Sequence, residues 1–324
     1  MIPKSNSLSK VKYLALSGGV GGAKLALGIS NCIEPETLAI VANVGDDFEH
    51  LGLNICPDID TLTYTLANLN NPETGWGRSN DTFNFMKTIK SLKGENWFKL
   101  GDQDLALHIL RTQRLRSGEK LSSITRQICN VLGVKVHIVP ISDDPIQTIV
   151  QTAEGHFPLQ RYFVHKKCQP KVTGFKYEGS DNALANRLIL EKILDINLKA
   201  VILCPSNPYI SIDPILAIRG LRETLKQCKA PVVAVSPIVG GQSLKGPTAK
   251  MMEELGEVVS AHTVACHYGE LIDGIIIDSS DAKLEQSIQD EGIRTCVVPT
   301  IMTSKQDKIK LAQDTLNFAA TISN

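Results

Sequence analysis

Short runs of consecutive apolar residues, separated by segments with helical spacing, recur along most of the chain. Tyr13–Leu16 reads as a buried strand, Ser17–Gly22 as a glycine-rich turn, and Ala23–Ser30 as a helix carrying Leu25, Leu27 and Ile29. Leu38–Val44 reads as a second strand, and similar runs return at Val134–Pro140, Leu198–Cys204, Ala230–Ser236, Gly274–Asp278 and Thr295–Pro299. Apolar residues at consecutive rather than alternate positions mark strands covered on both faces, the habit of parallel sheets. Helical segments such as Asp213–Cys228 separate most of them. The expected architecture is α/β: one doubly wound, mostly parallel, Rossmann-like sheet in a single domain over residues 1–324.

Two stretches break this grammar. Residues 58–130 have helical spacing punctuated by Trp76, Phe83, Phe85, Trp97 and Phe98, which predicts a helical insertion over the carboxyl ends of the strands, where open sheets bind ligands. Val150–Ser180, with Tyr162–Val164 inside it, reads as a small antiparallel excursion.

Composition narrows the class. Apolar residues at 43% and charged residues at 21% are ordinary globular values and argue against disorder, coiled coil and fibre. The formal charge is zero, from 34 basic and 34 acidic residues, so no global field draws the protein to nucleic acid or anionic lipid. Met1–Lys10 is polar, and the apolar run that follows, Val11–Leu16, is too short for a signal peptide or membrane span. The expected location is the cytoplasm. Eight cysteines stand singly, with no CxxC and no ligand spacing with histidine, and are expected to be core thiols.

The glycine turn follows a strand and opens a helix, where backbone N–H groups and the helix dipole favour an anion. Gly19-x-Gly21-x-x-Lys24 lacks the third glycine of a dinucleotide fingerprint, and Ala23 and Leu25 break a Walker A loop. Contact with phosphate is expected here, against the alternative of a tight structural turn. Asp46, Asp47, Asp58 and Asp60 gather after the second strand, and four carboxylates at one sheet edge repel unless a cation or protonation relieves them. Hard oxygen ligands suit Mg²⁺, although helix capping after Pro57 accounts for one of the four.

Gly75–Arg78 with Asn80–Thr82 reads either as a ligand-facing loop or as a capped helix start. Trp97–Asp104 sets Lys99 beside aromatic rings able to bear a flat heterocycle, while Asp104, His108 and Arg111 share a helix face as an expected surface or half-buried ion pair. Pro205–Pro208 with Ser211, Ser236–Gly241 and Lys245–Pro247 each follow a strand and offer groups that hold phosphates and base edges. No nucleophile–base pair stands out, so direct transfer by positioning and electrostatics is expected.

These blocks together carry a resemblance. Gly18–Leu25, Asn43–Asp47, Gly52–Thr61, Gly75–Gly77, Trp97–Asp104, Arg111–Thr112, Pro205–Pro208 and Ser236–Gly241 resemble the 2-phospho-L-lactate transferases over Lys12–Thr303. The resemblance implies a Mg²⁺-dependent, Rossmann-like, homodimeric enzyme of coenzyme F420 biosynthesis. It would move a phospholactyl or phosphoenolpyruvyl group from a guanosine diphosphate conjugate to the ribitol hydroxyl of the deazaflavin Fo, releasing GMP. It also implies that Asp60 and Lys99 contact the deazaflavin and that Asp46 is a metal-site residue. Gly19, Val20, Gly21, Gly22, Lys24, Ser206, Asn207 and Ser236 then fall to the nucleotide and its phosphates, and a cation falls to Asp46 and Asp60. The competing expectation is a nucleotide-sugar-binding regulator resembling the gluconeogenesis-factor family, disfavoured by Pro57–Asp60 and Trp97–Asp102. An NAD-dependent oxidoreductase is a more distant third.

Overall fold

The computed structural model describes residues 8–322, so most of the polar N-terminal segment read above lies outside the described residues. Seven strands form one sheet: β1 Tyr13–Ser17, β2 Leu38–Ala42, β3 His137–Pro140, β4 Ala200–Leu203, β5 Val232–Val235, β6 Gly274–Ile277 and β7 Arg294–Val297. Their spatial order is β7-β6-β5-β4-β1-β2-β3, and every neighbouring pair is parallel. Every residue of β2, β4, β5 and β6 is buried, as the consecutive apolar runs require of a sheet covered on both faces. Chain order reverses between β1 and β4, which opens a crevice at their carboxyl ends.

Helix α1 begins at Gly19 and runs to Cys32, so most of the predicted glycine turn is its first turn. Close packing sets this. A side chain at Gly21 would meet the Pro205 carbonyl oxygen at 2.3 Å, and one at Gly22 would meet Ser17 Oγ at 2.2 Å. Low helix propensity is accepted here because only glycine lets α1 lie so close to the strand ends.

Between β2 and β3 lie α2 Pro57–Leu66, α3 Asn84–Ser91, α4 Asp102–Arg116 and α5 Leu121–Val131. Ahead of them is an unpredicted hairpin, Phe48–His50 with Leu53–Ile55, turned by Leu51 and Gly52, both at positive φ. Ile55, Met86, Leu100 and Leu105 form a small second apolar cluster with Phe48, Leu53 and Phe98 around them. Phe83 and Phe85 stay largely exposed.

After β3, Gln147–Thr152 pairs antiparallel with Gly155–Pro158 and Val172–Glu178, the small excursion the sequence suggests. Tyr162–Val164 does not join it as a strand. It lies in a single π-helical turn, Arg161–His165, that buries Tyr162 in the core, so packing overrides aromatic strand preference. Cys56, Cys129 and Cys204 are buried thiols as expected, whereas Cys266 is exposed and sits one helical turn from His262. Among the described residues no helix is long and apolar enough to cross a membrane.

Candidate active site

Asn43, the first residue after β2, organises the acidic rim. Its buried amide donates to Asp46 Oδ1 at 3.1 Å, Asp58 Oδ2 at 2.9 Å and the Ile210 carbonyl at 3.2 Å, while its own oxygen accepts from the Gly45 N–H. Asp58 Oδ1 accepts the Gly19 N–H at 2.5 Å, so a carboxylate of α2 is docked on the N-terminus of α1. Asp58 therefore caps another helix rather than its own. α2 has no side-chain cap at all, and the expected capping role for one aspartate is not found. A side chain at Gly18 would collide with Asp58 Oδ2 at 2.8 Å.

Asp46 and Asp58 are 9% and 4% exposed, too buried for charge without compensation. Burial, and then the neighbouring Asp58, hold the Asp46 carboxyl well above its usual range, with Asn43 opposing. Burial raises Asp58 to about 6 although Gly19 and Asn43 oppose it. Asp47 is likewise raised by burial, and its Oδ1 is buried without a hydrogen-bond partner among the described residues. Two crowded carboxyls with few donors are the arrangement a divalent cation relieves, so the residues fit Mg²⁺.

Asp60 is not part of that pair. Residues two apart on a helix do not face each other, and Asp60 turns instead to the Arg111 guanidinium, with Nη1 at 3.1 Å and Nη2 on the other oxygen. His108 Nδ1 stands 3.7 Å away. Arg111 is 1% exposed, which corrects the expectation of a surface or half-buried ion pair for the Asp104–His108–Arg111 trio. Burial works against its charge, yet Asp60, Cys56 and Asp47 hold its pKa above the usual value. Asp104 pairs within the trio, with His108 Nε2 at 3.6 Å, and also accepts from the Tyr64 hydroxyl.

These groups open onto one cavity of about 960 Å³ at the strand ends. Of the residues singled out from the sequence, Gly19, Val20, Gly21, Lys24, Asp46, Asp60, Lys99, Ser206, Asn207 and Ser236 line it. Gly22 does not; it is buried against Ser17 and Ser206. The first N–H groups of a helix have no intrahelical partner, and among the described residues those of Val20 and Gly21 have none elsewhere. Lys24 donates to the Met302 carbonyl at 2.8 Å, and its pKa is lowered by burial and by Lys245 and Lys308. None of these three lysines has a carboxylate partner among the described residues. The cavity is thus lined both by crowded carboxyls and by Lys24 and Lys245.

The loop side chains are committed to backbone, Asn207 and Ser236 within their own loops and Ser206 across to the loop after β1. Ser206 Oγ donates to the Gly18 carbonyl at 2.7 Å, Asn207 Oδ1 accepts the Tyr209 N–H at 3.0 Å, and Ser236 Oγ accepts the Ile238 N–H at 3.1 Å. On the far wall Trp97, Phe98 and Phe163 line the cavity beside the exposed Lys99. Trp97 is fixed by His165 stacked at 5.7 Å and by the Arg161 guanidinium 4.4 Å above its ring. Sequence reasoning gave Asn43 no role of its own and did not foresee Asp60 as the partner of Arg111. The position of Asn43, immediately after a buried strand, is the signal that could have found it.

A doubly wound parallel sheet whose switch point joins a helix N-terminus to crowded carboxylates defines a Rossmann-like α/β protein with its candidate site in the crevice at the strand ends. The chain matches the family described as 2-phospho-L-lactate transferase CofD over residues 14–316. The phosphoenolpyruvate transferase of Streptomyces griseus is 34% identical over 320 residues, covering 96% of this chain and 99% of that one. The 2-phospho-L-lactate transferase of Methanosarcina mazei is 35% identical over 300 residues, covering 93% and 98%. That of Methanocaldococcus jannaschii is 35% identical over 311 residues, covering 95% and 98%. The chain belongs to the 2-phospho-L-lactate transferase family, a family of transferases. A solved Bacillus halodurans protein of the upf0052 family shares the fold, with a TM-score of 0.59 at 15% identity over 94% of this chain and 98% of that one.

Proposed function

We propose that this transferase moves a phospholactyl or phosphoenolpyruvyl group from a guanosine diphosphate conjugate to the ribitol hydroxyl of the deazaflavin Fo, releasing GMP, in coenzyme F420 biosynthesis. The observation that carries the reading is the Asp46–Asn43–Asp58 cluster docked on the N-terminus of α1, in one cavity with Lys24 and Lys245, which have no carboxylate partner among the described residues. An anionic diphosphate fits between them. Family membership favours this over the regulator expectation.

In this reading the Val20 and Gly21 amides and Lys24 bind phosphate oxygens, with Lys245 closing from the loop after β5. Asp46 and Asp58 hold Mg²⁺, which when bound supplies charge neutralisation at the diphosphate. Asp60, fixed by Arg111, and Lys99 form the polar edge of the slot in which Trp97 and Phe98 receive the flat ring. The ribitol hydroxyl then attacks the phosphorus in line, without a covalent protein intermediate. The working unit we propose is a cytoplasmic homodimer; exposed Ile109 and Leu110 on α4 offer it apolar surface.

The raised carboxyls make a prediction with a definite sign. A carboxyl whose folded pKa lies above its unfolded value of about 3.9 leaves the native state holding more protons, so its contribution to stability falls as pH rises through about 6. Millimolar Mg²⁺ should therefore raise Tm clearly at pH 8 and little at pH 5. Equal increments at both pH values in a thermal-shift assay would contradict the cation assignment.

Relatives named for phosphoenolpyruvate and for 2-phospho-L-lactate stand at 34% and 35% identity, so pocket shape rather than overall likeness selects the three-carbon acid. The test is incubation of the pure protein with Fo, Mg²⁺ and, in turn, the guanylyl conjugates of lactate, enolpyruvate and glycerate. Mass spectrometry should show a deazaflavin heavier by one phospho-acid, together with GMP. The absence of a deazaflavin adduct with every donor would overturn the reading.

A further inference from the structure

We infer that His262, Cys266 and Glu291 form a second metal site, solvent-facing and suited to a soft divalent ion such as Zn²⁺. His262 and Cys266 stand one turn apart on the helix Ala261–Tyr268, so their side chains leave the same face. Glu291 immediately follows the short helix Glu285–Asp290, packed alongside. His262 Nε2 lies 3.6 Å from Glu291 Oε1 and 3.8 Å from Cys266 Sγ, which stands 3.6 Å from the other ring nitrogen. One ligand atom from each residue falls within 4.8 Å of the other two, and among the described residues no other group of histidine, cysteine and carboxylate does this.

These separations are close to the edges of a zinc tetrahedron. Bonds of about 2.0–2.3 Å to nitrogen, oxygen and sulfur at tetrahedral angles place the ligand atoms about 3.4–3.6 Å apart. The two edges at His262 Nε2 need a few tenths of an ångström or less, and the sulfur–carboxylate edge, within 4.8 Å, closes by rotation of the exposed Glu291 and Cys266 side chains. The thiol makes a weak hydrogen bond to the imidazole, with Sγ 3.6 Å from Nδ1, and a half-exposed ion pair at 3.6 Å contributes little, so neither contact by itself holds the three residues firmly.

The donor set also separates this site from the acidic rim. Sulfur and imidazole select zinc-like ions, whereas the oxygen-only pair Asp46 and Asp58 suits Mg²⁺. Three protein ligands leave a fourth position to water, and the site clips two surface helices together.

The test uses metal-free full-length protein titrated with Co²⁺ and with Zn²⁺. One equivalent of Co²⁺ should produce a near-ultraviolet thiolate-to-cobalt band that is lost in Cys266→Ser. Glu291→Gln should weaken Zn²⁺ binding by more than about tenfold, since loss of even an outer-shell partner costs roughly 10–100-fold. Both substitutions lie at the surface and should leave the metal-free Tm and transferase turnover unchanged. No thiolate band in the wild type, or an equal band in Cys266→Ser, overturns the site.

Discussion

Asp58→Asn lowers turnover by about 10²–10⁴-fold while changing Tm little. The loss follows from removing one of two carboxylates that hold the cation, an interaction worth several kcal/mol in the transition state. The retained stability follows from geometry. Asparagine keeps an oxygen for the Gly19 N–H, so the junction of α1 and α2 survives, and removal of a buried, crowded charge offsets the Asn43 amide bond that the new amide nitrogen cannot accept. Steady-state kinetics beside a thermal melt reads both halves. Asp46→Asn should behave alike, and near-normal turnover in either variant removes the cation role from that residue.

Arg111→Met has the opposite signature. It strands Asp60 in a buried site with only His108 nearby, and breaking one side of a buried ion pair costs about 3–5 kcal/mol. The same substitution combined with Asp60→Leu should recover much of that stability, because replacing both partners by apolar groups is often close to neutral. Denaturant unfolding of the two variants gives the numbers; a single-substitution cost below about 1 kcal/mol would show that the pair is not desolvated. Asp60→Asn leaves the guanidinium uncompensated, so it tests folding before it tests contact with the deazaflavin.

The sheet was legible because its strands are buried on both faces and therefore apolar at consecutive positions; Leu38–Ala42 could be read directly. The start of α1 was not, because glycine scores poorly in a helix and the Pro205 carbonyl that demands Gly21 lies far away in sequence. The gathering of aspartates was visible, but the sequence reading joined Asp46 to Asp60 where the structure joins it to Asp58. The helical period could have separated them, since positions two apart on α2 point in different directions. Nothing local announces that Asp60 belongs to Arg111, a pairing made by the way α4 packs on the hairpin and α2. Ser206, Asn207 and Ser236 sit at the predicted crevice, yet Asn207 and Ser236 serve their own turns and Ser206 ties its loop to Gly18, ordinary uses of these residue types that leave the anion to backbone amides and lysines.

The most direct measurement is the anomalous scattering of Mn²⁺ in crystals grown with guanosine diphosphate. A peak about 2–2.3 Å from carboxylate oxygens of both Asp46 and Asp58, with phosphate oxygens on its other side next to Val20 and Gly21, is the expected result. A peak ligated by Asp60 without Asp58, or a diphosphate bound away from the start of α1, would contradict it.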